Sequence, residues 1–150
     1  MKASKILFPS DFSHTGDAAL ALAASLARDT GATLLIVHVE EPPIAYGGGE
    51  LYYGISNPAT EDLRRMLNEV RPTDPGIPCE HFLITGDPAT AIARFAEEQG
   101  VDFIVMGTHG RTGLSRLLMG SVAESVVGRA KCAVLTLRQP AEQVKESADC

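Results

Sequence analysis

Five short apolar runs punctuate this chain, and the segments between them are long enough for helices. Ile6-Leu7-Phe8 is the first run, and residues 33–39 (TLLIVHV) are the second. Residues 79–85 contain Phe82, Leu83 and Ile84; residues 101–106 (VDFIVM) and 133–137 (AVLTL) complete the set. The runs are short, as strands are, and the second is too apolar on both faces for a half-exposed strand, so it fits the centre of a parallel sheet. Between the first two, residues 13–28 carry Ala18, Ala19, Leu20, Ala21, Leu22, Ala23, Leu26 and Ala27, a helical composition. Ser13 is the expected N-cap and Gly31 the stop. A second helix is expected over residues 59–70. Asp87-Pro88 opens a third that runs to Gln99 and stops at Gly100. Residues 114–119 suggest a short helical stretch, and Gly120-Ser121 opens the last helix, running to about Arg129. Strand and helix alternate throughout, which predicts an α/β fold with a parallel sheet covered by helices on both faces.

The 150 residues suit one domain over residues 1–140, followed by a polar tail at 141–150. Aromatics are 5% and Trp is absent, so the core is aliphatic. A net charge of −6 argues against nucleic-acid binding, which depends on neutralising phosphates. No apolar run approaches the length of a membrane span, and no signal-peptide core follows Met1. Cys79, Cys132 and Cys150 form neither a disulfide framework nor a zinc pattern, which favours reduced thiols and a cytoplasmic location.

Parallel sheets of this kind bind ligands beyond the carboxyl ends of their strands, where the strand order reverses. That directs attention to residues 9–13 and to the segment from Gly107. Glycines at 107, 110 and 113 follow a buried strand, and Gly120-Ser121 opens a helix. Such a segment approaches a ligand closely and lines an anion site with N–H groups; the helix start and the Ser121 hydroxyl add donors. A second explanation needs no ligand: Ser121-Val122-Ala123-Glu124 matches a capping box. The segment is neither a Walker A loop nor a GxGxxG fingerprint.

The spacing Gly107-x2-Gly110-x9-Gly120-Ser121 resembles the nucleotide motif of the universal stress protein family. The string GTHGRTGLSRLLMGSVAESVV is similar to that family almost throughout. So are the strand ending in Pro9-Ser10-Asp11, the Gly31-Ala32 helix end and the His38-Val39 strand end. The resemblance covers about residues 2–138. It departs at Lys131-Cys132-Ala133, where the family usually has Cys-Pro. It implies a Rossmann-like domain with five parallel strands in the order 3-2-1-4-5. It also implies a homodimer paired through the last strands, and membership of the ATP-binding group. Carried over by position, Asp11 contacts the ribose and the Val39 backbone recognises adenine. Pro9 and Ser10 line that pocket. Met106, Gly107, His109, Gly110, Gly120, Ser121 and Val122 surround the phosphates.

Asp11 has a second possible role, capping the turn into the first helix. Arg111 and Arg116 flank the glycine segment within reach of phosphate oxygens or as plain surface cations. His14, His38 and His109 lack metal-ligand spacing and are expected to be ordinary histidines. Residues 43–54, rich in Tyr and Gly, are either a lid or a simple connection.

The favoured function is an ATP-binding regulatory module of the stress response, dimeric, with an unidentified protein partner. ATP is the expected ligand, with AMP and ADP as alternatives, together with Mg2+. No catalytic residue is assigned, and hydrolysis is at most slow. The alternatives are a slow ATP hydrolase and a nucleotide-independent dimeric interaction protein.

Overall fold

The computed structural model describes residues 2–13, 16–42, 58–108 and 119–138. In chain order the elements are β1 (Lys5–Pro9), α1 (Asp17–Thr30), β2 (Thr33–Glu40), α2 (Pro58–Glu69), β3 (Cys79–Thr85), α3 (Pro88–Gln99), β4 (Phe103–Gly107), α4 (Ser121–Arg129) and β5 (Ala133–Leu137). The strands form one sheet in the order β3-β2-β1-β4-β5. Every pairing in it is parallel. The sheet order expected from the family resemblance is the order observed.

Side-chain alternation along the strands divides the interior into two layers. Ile6, Phe8, Leu34, Ile36 and Val105 face one way and meet Ala19, Ala23 and Ala27 of α1 and Leu67 of α2. Leu7, Leu35, Val37, Ile104 and Met106 face the other way. They meet Ala89, Ile92, Phe95 and Ala96 of α3 and Ala123 and Val126 of α4. The four-residue spacing of Ala19, Ala23 and Ala27 puts three small side chains on one stripe, so α1 lies close to the sheet. Ile6, Leu7, Leu35, Ile36 and Ile104 are fully buried, each stabilising by about 1.5–3 kcal/mol relative to exposure.

Helix ends follow the expected chemistry where backbone geometry is demanding. Gly31 takes a left-handed conformation at φ 76° and closes α1 by donating to Ala27 O. Gly100, at φ 66°, does the same for α3, while the Asp87 carboxylate accepts from Thr90 N at its start. Val101 then donates its N–H to Ala96 O at 2.9 Å. That bond makes Val101 part of the helix closure, so β4 begins at Phe103 rather than at the expected residue 101.

The start of α1 also differs from expectation. The helix begins at Asp17 with Gly16 in the cap position and no side-chain cap, not at Ser13. Ser13 is held instead by Asp11, whose Oδ1 accepts from the Ser13 amide at 2.9 Å and from the Ser13 hydroxyl. Asp102 joins the amino ends of β1 and β4. Its Oδ2 accepts from Ser4 N at 2.7 Å and Lys5 N at 3.1 Å. These bonds hold its carboxyl below the usual range. Among the described residues, no helix is long and apolar enough to cross a membrane. The expected helical stretch at 114–119 falls largely outside the described residues, as do the 43–54 loop and the 141–150 tail.

Candidate functional site

The strand order reverses between β1 and β4. β1 pairs with β2 on one side (Pro9↔Val37) and with β4 on the other (Leu7↔Ile104). The carboxyl ends of these three strands therefore share one edge of the sheet, with the crevice of the topological switch between β1 and β4.

At the β1 end, Pro9 closes the strand and Ser10 N donates to Val37 O at 2.8 Å, extending the pairing by one residue. The chain then turns sharply. Phe12 N donates to Ser10 Oγ at 3.2 Å, and Asp11 accepts from Ser13 as described. Asp11 therefore makes a local turn, as one of its two readings required. Phe12 itself has φ 65°, an uncommon conformation for a bulky residue. Its ring lies against His38, with centroids 4.2 Å apart and planes tilted by 33°. His38 Nδ1 lies 2.7 Å from Ser10 O. A carbonyl can only accept, so Nδ1 carries the proton and donates.

On β2, Val39 is half-buried, pairs with Ile84 of β3 and packs against the second layer. At the β4 end, Met106 points into that same layer and is 7% exposed. Its contribution at the edge is therefore its backbone. Gly107 closes β4 opposite Leu137.

Thr108, which sequence reasoning passed over, is the junction. Its N–H donates to Leu137 O at 3.1 Å, and its carbonyl accepts from Gly120 N at 2.6 Å. This carbonyl brings the start of α4 to the end of β4 and so places Gly120, Ser121 and Val122 at the same edge. Nothing in the type of residue 108 announces a backbone acceptor, so no sequence signal was there to find.

The capping-box explanation for Ser121 fails. Gly120 holds the N-cap position, with φ −61° and ψ 153°, and there is no side-chain cap. Gly120 O accepts from Glu124 N at 3.0 Å, the first bond of the helix. Ser121 is thus the first helical residue, exposed, and its hydroxyl is not used to cap α4. Of the expected site residues, Pro9, Ser10, Asp11, Val39, Met106, Gly107, Gly120, Ser121 and Val122 lie at this edge. His109 and Gly110 lie outside the described residues, as do Arg111, Arg116 and His14.

His81, on β3, places Nε2 2.7 Å from Val70 O. Among the described residues, no group of three or more His, Cys, Asp or Glu side chains could hold a metal ion. Two cavities open at the other edge of the sheet. One, of about 140 Å³, is lined by Ala96, Gly100, Lys131 and Cys132; the other, of about 310 Å³, by Ala27, Gly31, Asp74 and Ile77. Both lie at the amino ends of strands, away from the switch crevice. Burial pushes the Cys132 thiol up, which makes it a poor nucleophile.

Residues 2–138 match the model of the universal stress protein family. The chain belongs to the universal stress protein family. The universal stress protein MJ0531 of Methanocaldococcus jannaschii is 35% identical over 146 residues, covering 93% of this chain and 84% of that protein. The solved structure of MJ0577, from the same organism, aligns with a TM-score of 0.71 at 27% identity, over 93% of this chain and 99% of that one. A universal stress protein from Archaeoglobus fulgidus, solved in complex with dAMP, aligns with a TM-score of 0.61 at 27% identity. It covers 91% of this chain and 98% of that one. The parallel sheet in the order 3-2-1-4-5 is therefore that of a universal stress protein.

Proposed function

We propose that this universal stress protein binds an adenine nucleotide in the crevice between β1 and β4, and that occupancy is read by a protein partner during stress. The observation that carries the reading is the junction at Thr108. It sets an uncapped helix start beside the end of β4, across the switch point from the Asp11 turn. Free N–H groups at a helix start favour an anion, and an acidic residue beyond a neighbouring strand suits ribose hydroxyls. The dAMP complex of the A. fulgidus relative supports the choice of adenine.

In this reading Asp11 contacts the ribose, the Val39 backbone meets adenine, and Pro9 and Ser10 line the pocket. Met106, Gly107, His109, Gly110, Gly120, Ser121 and Val122 surround the phosphates, chiefly through backbone groups. ATP is the principal ligand, with AMP and ADP sharing the same adenosine contacts. Magnesium, a hard cation that usually keeps several waters, rests on phosphate oxygens and water rather than on a protein cage. Fast phosphoryl transfer needs a positioned water or base and strong charge neutralisation. No residue is assigned those roles, so hydrolysis is at most slow. The protein works in the cytoplasm as a homodimer joined through β5.

The test is calorimetric titration of nucleotide-stripped protein with ATP and with AMP, with and without magnesium. A Kd at or below about 10 μM, near 7 kcal/mol, is the expected result. No heat up to about 1 mM, and no competition with a fluorescent adenine nucleotide, overturns the reading.

A further inference from the structure

The turn after β1 is held from outside as well as from within. Phe12 adopts φ 65° with a bulky side chain, a conformation that persists only where the surroundings over-determine it. Local bonds contribute: Phe12 N donates to Ser10 Oγ at 3.2 Å, and Asp11 Oδ1 accepts from the Ser13 amide and hydroxyl. A further grip comes from His38, twenty-eight positions beyond Ser10. Its Nδ1 donates to Ser10 O at 2.7 Å, and its ring lies 4.2 Å from the ring of Phe12. Phe12 also packs against the first core layer, so its ring is wedged between core and imidazole. His38 sits on β2, which is paired on both sides, with β1 and with β3. A rigid strand thus takes hold of the residue before Asp11 by its carbonyl and of the residue after it by its ring.

We propose that His38 is a positioning residue that fixes the Asp11 carboxylate for recognition of the ribose hydroxyls of a bound nucleotide. This rests on the adenine-nucleotide reading above. The arrangement needs two properties at once, an N–H donor at the δ position and a flat face for Phe12. Imidazole has both. Asparagine keeps the donor and loses the ring, phenylalanine keeps the ring and loses the donor, and leucine loses the donor and the flat face. His38 touches no ligand in this scheme, so its effect falls on discrimination between sugars rather than on binding of base or phosphate.

The experiment compares AMP with 2′,3′-dideoxy-AMP, which lacks both ribose hydroxyls, on the intact chain and on His38→Leu, His38→Asn and His38→Phe. The unaltered chain is expected to prefer AMP by about tenfold, the order of one charge-assisted hydrogen bond. His38→Leu is expected to weaken AMP binding by a similar factor while leaving the dideoxy compound within twofold. Asn and Phe each restore part of the preference. Amide hydrogen exchange at Phe12 and Ser13, measured without ligand, is expected to accelerate in His38→Leu. A variant that loses affinity for both compounds equally overturns the proposal, as does unchanged exchange at those amides. An unaltered chain that binds neither compound overturns the nucleotide reading and the ribose assignment with it. The exchange data then decide separately whether His38 holds the turn.

Discussion

Ser121 is a residue whose role turns on a shift of one position. Had it capped α4, replacing it by alanine would cost about 1 kcal/mol of stability. Gly120 occupies the cap position instead, and Ser121 is an exposed first helical residue. Ser121→Ala is therefore expected to leave the denaturation midpoint within about 0.5 kcal/mol of the parent. A weaker response to ATP in the same variant assigns the hydroxyl to the ligand. Asp102 presents the opposite case, a carboxylate whose work is structural. Its oxygen accepts two backbone N–H groups at the amino ends of β1 and β4, Ser4 first and Lys5 second, and they lower its pKa. A depressed pKa means stability that is fully present above the ordinary carboxylate value and lost as pH falls through the lowered one. Asp102→Ala is expected to cost about 1 kcal/mol at pH 7, at the low end for such an exposed group. The gap between variant and parent closes in urea titrations taken progressively below pH 4. A gap that persists unchanged in acid would show that the carboxylate charge contributes nothing.

At the scale of elements, most of the architecture could be read from residue order, and the exceptions have local causes. The boundaries of β3 and β5 match the expected ones because both runs are bounded by breakers or polar residues. Asp87-Pro88 and Gly100 bracket α3 as anticipated, since a carboxylate cap and a left-handed glycine act through neighbouring atoms alone. α1 starts later than the sequence suggests because Ser13 has a competing partner in Asp11, two residues earlier. β4 starts later than the sequence suggests because Val101 is buried to seal a helix end, and burial alone does not distinguish that from a strand. The candidate site was legible as a set of residue types at one sheet edge. The Thr108 bridge and the left-handed Phe12 were not, because both are backbone events without a diagnostic side chain.

β5 ends the strand order, so its outer side has no strand beyond it among the described residues. An unpaired edge is a template for another chain. Leu135 is 38% exposed there and Val127 on α4 is 48% exposed. In the proposed dimer, β5 pairs with its copy across a two-fold axis, and Leu135→Lys would set like charges close together. Sedimentation at micromolar concentration is expected to move to the monomer mass, with the far-UV spectrum unchanged because Leu135 is exposed within the chain. A dimer that withstands this change places the interface elsewhere.

For the whole molecule, the buried centre of the sheet and its proposed binding edge should separate in measurement. Ile104 is fully buried at the centre of the second layer, among Leu7, Val37 and Ile92. Its truncation to alanine leaves a cavity that the two-sided packing cannot close, at a cost of about 2–5 kcal/mol. Folding of a domain this size is worth about 5–15 kcal/mol in total, so the variant is strongly weakened but still folds. A ligand that binds only the folded state adds RT ln(1 + [L]/Kd), which is about 2.7 kcal/mol at a hundredfold excess over Kd. Ile104 makes none of the proposed ligand contacts, although it shares its core layer with Met106, so the two effects should add unless that layer couples them. ATP at that excess is therefore expected to raise the stability of the parent and of Ile104→Ala by equal amounts in urea denaturation. His38→Leu at the same ATP concentration should gain less, because there the loss is in Kd itself. If Ile104→Ala also gained less, the core would be transmitting strain to the crevice, and the edge would not be an independent binding unit.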